Sequence, residues 1–514
     1  MSTSKRIVVI ICLLFAFVLL FFVTCALIMF LAPGTEIFGV RYVSALVGNY
    51  EKNVTLESFT GDVYIETENV PITIEFDDHY SSSFSFCQNF TGFTTTKISS
   101  AGINYGISDN DLKIKTTEFV KFIYAVESYD TFHLTLKLPA YAFRSGTRSI
   151  FINSNGSPVK TVGSSVLKEF NVKTSDGVSV DGSLKANDKL VFNLGKSVTI
   201  DEHLTGNNLD ITTSGNSYVN IKTAIDGDIK VNGKGGDIKF VSCNNLYVET
   251  TSGAIRSFDD ESGNVNFKVD VKTSSGEVKL GNLNTLDLLD ENKTNIKTKG
   301  GKVSVKSARC MTITTDSGMV NVDEANELVV SSRIGFITVK KVSGLLDINV
   351  QNGGITAGID GSLNKVKIKT NTGAVKLANT SGAVDVKSEY NTIEFTNGTS
   401  SDINLYAGRN LTASKLQGSV YAYSNGNINL KFDHISSNVS IETGSKTNNV
   451  NIDAKCTHVD HVSYVLRSTK GEKAKVYAGD SMIAEGSSLS NVQSGQYVIN
   501  VKTFYGKINL YLSA

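Results

Sequence analysis

The only histidine cluster in the chain, His458-Val-Asp460-His461, is the first place where metal or acid–base chemistry could sit. On a strand, His458 and Asp460 share one face and His461 takes the other, so two ligands converge where a metal site needs three or four. The cluster reads as surface polars. Cys87, Cys243, Cys310 and Cys456 lie beyond the apolar N-terminus without a C-x-x-C spacing, so zinc is not indicated. Gly233-Lys-Gly-Gly236-Asp237 has the outline of one calcium-binding β-roll turn. That chemistry works in tandem, with each ion shared between successive coils, and one copy reads as a turn. Carboxylates are scattered, and no G-x-S-x-G, paired-carboxylate phrase or Gly-rich phosphate loop is present. No catalytic residue, metal or cofactor is assigned. Tyrosines, by contrast, thicken toward the C-terminus, at Tyr406, Tyr421, Tyr423, Tyr464, Tyr477, Tyr497, Tyr505 and Tyr511. Tyr421, Tyr423, Tyr464 and Tyr477 are the candidate binding surface, with Tyr421 and Tyr423 on one strand face. Exposed rings stack on sugars or anchor a protein partner. The plain alternative is that these large amphipathic side chains fill the last turns of the fold.

The elements that position these residues are read from composition and pattern. The chain has 514 residues, too many for one compact core, with 50 basic residues against 50 acidic. Balanced charge argues against a nucleic-acid partner. The four prolines end at Pro158, where ordinary usage places roughly 18 more before the C-terminus. Proline cannot donate to a β-ladder, so a long Pro-free, Gly-rich stretch implies strands paired on both edges.

From Ile7 to Leu31 the chain is apolar and uncharged, interrupted by Thr24 and two cysteines. As a helix it spans about 37 Å, enough to cross a bilayer core. Lys5 and Arg6 precede it, so residues 1–6 are expected in the cytoplasm and the bulk of the chain outside the cell membrane. Its length exceeds a signal-peptide core, which favours an uncleaved anchor. Acylation at Cys25 fits poorly, because Ala26 to Leu31 stay apolar. Pro33-Gly34 should end the helix and open a linker over 32–44.

From about Phe170 onward one phrase recurs: alternating apolar residues, a Thr-x-x-Gly turn, then alternation again. The turn falls at Thr174, Thr250, Thr273, Thr298, Thr315 and Thr370. Successive glycines such as Gly301, Gly318, Gly335, Gly354 and Gly373 stand 17 to 19 apart. A period near 18 with two-residue alternation predicts an all-β fold over 166–514, a single-strand-stack β-solenoid of about 17–19 residues per coil. Val366, Ile368, Val375 and Leu377 should face in, Lys367 and Lys369 out. About 19 coils would make a rod of roughly 90 Å. A β-propeller, whose blades need about 40 residues, fits poorly. Cys243 and Cys310 lie nearly four coils apart, too far for a disulfide in a regular array. Residues 45–165 lack the Thr-x-x-Gly beat and read as an N-terminal β domain or cap.

The phrase L/V-x-V-x-T-x-S-G-x-V-x-V, as in LYVETTSGAI ending at Ile255, resembles the bacterial putative-adhesin β-strand-repeat family. FHLTLKLPA, ending at Ala140, is similar to that family's strand followed by Leu-Pro. The resemblance spans about Ser44 to Ala514. It implies a β-solenoid at a cell surface behind one membrane segment and brings no catalytic residues; surface glycans or envelope proteins are the expected partners. Two other readings stay open. One is a glycan lyase or hydrolase, which needs Asp, Glu, Lys or Arg from adjacent coils clustered in a groove. The other is a membrane-tethered scaffold that polymerises through uncovered end strands.

Overall fold

The computed structural model describes the chain except for residues 1–2, 33–34, 38–39, 44–49, 69, 89–90, 95–101, 117–121, 128–131, 201–203, 207, 226, 259–264, 284–292, 359–364, 401, 445–447, 458–461, 471 and 494–495. His458-Val-Asp460-His461 and Pro33-Gly34 therefore lie outside the described residues. The protein is an all-β solenoid with one N-terminal helix, and it divides into two compact units, 1–227 and 228–514.

The helix runs Thr3–Leu31, and Val8–Leu31 is long and apolar enough to cross a membrane. Its side chains from Val8 onward stand almost entirely outside the fold. Leu, Phe, Val and Ile carry it, and the one hydroxyl in the span is satisfied internally. Thr24 donates to the Leu20 carbonyl at 2.7 Å, which removes the penalty of an unpaired polar group in hydrocarbon.

In unit 1 the first coil is made by Val63–Glu68 and Ile72–Asp77. Val63, Ile65, Ile72, Ile74 and Phe76 point inward and are buried. The parallel ladder continues from this coil to Ile150–Asn155 and Val159–Gly163, with Val63 beside Ile150 and Ile72 beside Val159. Further coils come after it, with Phe170, Leu190 and Leu209 in one inward column. Four strands from between Asp77 and Ile150 cover the other edge of the first coil. Asp111–Thr116 pairs with Val63–Glu68 and folds back antiparallel onto Ile103–Ser108. Phe132–Pro139 pairs with Ile72–Asp77 and is then covered by the antiparallel strands Ser83–Gln88 and Tyr50–Thr55. An uncovered strand edge would template association, and this arrangement closes it. Arg148, 9% exposed, pins the same end. Its guanidinium packs over the Phe59 and Phe143 rings and donates to the Thr60 carbonyl at 2.8 Å and to the Phe59 carbonyl.

Unit 2 is regular, and its Thr-x-x-Gly turns explain themselves. Thr250, Thr273 and Thr315 are buried, and each hydroxyl donates to the carbonyl two residues on, at 2.8, 2.8 and 2.9 Å. The hydroxyl thus replaces a backbone partner at the corner. The glycine that ends each turn has positive φ, 102° at Gly253, 121° at Gly276 and 129° at Gly318. These glycines also stack, so a Cβ on Gly318 would lie 2.0 Å from the Gly301 carbonyl oxygen. Only glycine fits on both counts. Val366, Ile368, Val375 and Leu377 all face the core as the alternation predicts. The solenoid has about 14 turns. A strict period of 18 implies about 19; the spacing is not strict, and Gly253 to Gly276 is 23 positions and Gly276 to Gly301 is 25.

The end of unit 2 departs from chain order. Val498–Thr503 pairs on one side with Val439–Thr443 and on the other with Ser463–Ser468. Ile508–Ser513 lies likewise between Val450–Lys455 and Ala474–Ala478. The last two strands of the sequence are thus held inside the stack. Ser488–Asn491 and Ser481–Gly486 close the outer edge antiparallel.

Candidate functional site

Outward positions on the two long sides of each coil form straight rows, because parallel strands in register place the same phase of the alternation side by side. In unit 1 one row reads Lys113, Tyr64, Phe151, Asn171 across four neighbouring strands, and the next reads Lys115, Glu66, Asn153, Lys173. Tyr64 and Phe151 stack nearly parallel, 5.0 Å between centroids and 13° between planes. Together these eight residues line an open groove of about 450 Å³. Lys115 pairs with Glu66 at 3.0 Å, whereas Lys113 and Lys173 have no ion-pair partner among the described residues. The Tyr64 phenol is pushed above its ordinary pKa, first by burial and then by Asp62 and Asp111, so it stays a neutral hydrogen-bonding group.

Sequence reading did not find this groove. Its signal was there in part: Tyr64 and Phe151 each occupy the outward phase between two inward residues, Val63 and Ile65 for one, Ile150 and Ile152 for the other. Their adjacency depends on a pairing across 87 positions, which no local pattern announces.

The four tyrosines proposed from sequence do not share one surface. Tyr421 and Tyr423 lie on Val420–Ser424 and point outward together. Tyr423 stacks on Tyr406 of the preceding coil, 4.6 Å apart with planes 9° from parallel. The Lys387 ammonium stands 4.9 Å over the Tyr406 ring and 2.7 Å from Glu389. Burial, then neighbouring phenols and Glu442, raise the pKa of Tyr423, whose hydroxyl donates to Asn425 Oδ1 at 3.0 Å. Tyr477 lies on the other long side of the coil, stacked on Tyr511 at 4.8 Å. Tyr464 is a correction. It is 7% exposed and in register with Ile499 and Val439, so it fills the interior and presents no ring to a partner. Strand alternation puts it in phase with buried Leu466.

The remaining chemistry is quiet. Cys12, Cys25, Cys87, Cys243, Cys310 and Cys456 form no disulfide with one another. Burial pushes the Cys243 thiol far above its ordinary pKa, and Cys310 is raised by burial and by Glu327, 3.6 Å away. Asp237 in the Gly233–Asp237 turn accepts from the Ala254 amide at 2.9 Å, so its carboxylate serves the backbone of the next coil. Among the described residues no group of three His, Cys, Asp or Glu is placed to hold a metal.

Fold and site together define a β-solenoid with aromatic pairs stacked on its outer faces. No family model matches the chain. No curated protein matches it either. Solved structures similar to it are of putative adhesins, the kind of protein that the repeat phrase resembles. The one from Bacteroides fragilis NCTC 9343 is 12% identical with a TM-score of 0.25, covering 57% of this chain and 95% of that one. The one from Parabacteroides distasonis ATCC 8503 is 10% identical with a TM-score of 0.16, covering 68% and 96%. The one from Parabacteroides merdae ATCC 43184 is 11% identical with a TM-score of 0.19, covering 68% and 94%. At these identities and scores the likeness carries no argument about function.

Proposed function

We propose that this chain is a non-enzymatic surface protein: an adhesin-like β-solenoid, tethered by residues 7–31, that binds glycans or envelope proteins through its outer faces. Residues 1–6 lie in the cytoplasm, 32–44 act as a linker and the β fold stands outside the cell. One observation carries the reading. Aromatic rings are paired at outward positions, where their half-exposed apolar surface is open to a partner. Tyr64 is 38% exposed, and Tyr421, on the same strand face as Tyr423, is 42% exposed. The closed outer edge of unit 2 supports a binding protein over an end-to-end polymer, whose growth needs a free parallel edge.

The test has two arms. Protease treatment of intact cells should remove the β fold and leave the anchor. Protection until lysis would overturn the surface placement. Full-length protein in detergent should be retained on immobilised envelope glycans without releasing reducing ends. Retention coupled to sugar release would replace the binding reading with a catalytic one.

A further inference from the structure

The groove on unit 1 is more selective than a bare aromatic strip. Tyr64 and Phe151 lie on neighbouring strands, and their two rings, stacked with nearly parallel planes, present one apolar surface to the groove. A pyranose ring has one face of C–H bonds and a rim of hydroxyls. That face suits such a surface, and the rim meets the amides of Asn153 and Asn171. Of the four charged side chains in the lining, three are ammoniums (Lys113, Lys115 and Lys173) and one is a carboxylate, Glu66. Glu66 neutralises Lys115 at 3.0 Å, which leaves Lys113 and Lys173 at opposite corners. Three carboxylates near the groove already have partners. Asp62 accepts from the Ser149 amide at 2.7 Å, Asp111 accepts from the Asp62 amide at 2.8 Å, and Glu169 accepts from the Asn171 side-chain amide at 3.3 Å and faces Lys189 at 3.8 Å.

We infer that this groove binds an acidic oligosaccharide, a uronate-containing glycan chain, stacked on Tyr64 and Phe151 with its carboxylates at Lys113 and Lys173. Three strand spacings separate those two ammoniums, about 14 Å along the stack. A single sugar acid reaches one of them, and only a linked chain reaches both. The inference rests on the surface-binding reading and deepens it by naming the ligand class and the site.

The experiment uses the full chain in detergent against immobilised polygalacturonate, alginate and hyaluronan, each beside its carboxyl-reduced counterpart. Wild type should bind at least one uronate polymer about tenfold tighter than its reduced form, and rising salt should erase most of that preference. Lys113→Gln with Lys173→Gln should bring the two forms within about twofold of each other. Tyr64→Ala should weaken both forms about tenfold or more. These positions face outward, so far-UV circular dichroism should match wild type in each variant. Equal wild-type binding of acidic and reduced polymers overturns the inference, as does a preference that survives loss of both lysines. Glycan retention that is lost with Tyr406→Ala but not with Tyr64→Ala overturns the site while leaving the surface-binding reading intact. Absence of retention on every glycan overturns both.

Discussion

Tyr64 with Phe151 in unit 1 and Tyr406 with Tyr423 in unit 2 stack with nearly the same geometry, 5.0 and 4.6 Å between centroids. The first pair is joined across 87 positions of sequence and the second across 17. In unit 2, before its end, each coil pairs with the coil that precedes it in the chain, and a repeated phase is enough to stack two tyrosines. In unit 1 four strands from between Asp77 and Ile150 are folded onto the free edge of the first coil, and two distant strands come into register on its other edge. The surroundings differ as well. The ammonium over Tyr406 is already paired with Glu389, whereas two ammoniums beside the Tyr64–Phe151 floor have no ionic partner among the described residues. Beside Tyr406 and Tyr423 the repeat pairs its ammonium with a carboxylate of its own. The irregular region yields a groove with charge left for a ligand.

The largest expected effect tests the regularity itself. Gly318→Ala puts a Cβ 2.0 Å from the Gly301 carbonyl oxygen at a φ of 129°, whereas a Cβ on Gly106 of unit 1 meets nothing within 4 Å. Gly318→Ala should lose about 3 kcal/mol of stability. Gly106→Ala should stay within about 0.5 kcal/mol of wild type. Urea denaturation monitored by circular dichroism reads both, and equal midpoints would break the claim of a sterically closed glycine column.

A smaller effect compares the two ring pairs. Double-mutant cycles with alanine at Tyr64 and Phe151, and at Tyr406 and Tyr423, should each give a coupling of about 1 kcal/mol. Zero coupling in one cycle would mean that its rings are merely adjacent. The smallest effect concerns a unit 1 ion pair. Asp181 is held below the ordinary carboxylate pKa, first by the hydrogen bond from Lys160 at 2.7 Å and also by Ser179. Because the folded value is the lower one, the pair's contribution is present above the unfolded value near 3.8 and is lost as pH falls through the folded value. Both partners are more than a third exposed, so the loss should be a few tenths of a kcal/mol. Asp181→Asn should remove that part of the acid slope. An unchanged slope between about pH 6 and 3 would show that solvent screens the pair completely.

Much of unit 2 was legible residue by residue. The phase of Val366, Ile368, Val375 and Leu377, the Thr-x-x-Gly corners, and the shared outward face of Tyr421 and Tyr423 all come from two-residue alternation and from what a tight turn demands. Tyr464 was misread for a local reason. In Ser463-Tyr-Val-Leu-Arg-Ser468 the alternation admits either Val465 or Tyr464 with Leu466 as the inward set. The pairing of the strand decided it, setting Tyr464 beside Ile499 and Leu466 beside Val501.

By itself the sequence determined what each segment would be: an apolar helix long enough for a bilayer, alternating strands, and corners that only threonine and glycine make well. These are consequences of local sterics and of the need to bury one face of each strand. Tertiary structure alone decided which strands are neighbours. It set Val63–Glu68 beside Ile150–Asn155, and Val498–Thr503 between two strands that precede it in the chain. Closing a longer loop adds little entropy, whereas an open strand edge leaves a row of backbone groups unpaired. The chain therefore covers its edges with whatever segment fits, and the groove at Tyr64 and Phe151 is a product of that choice.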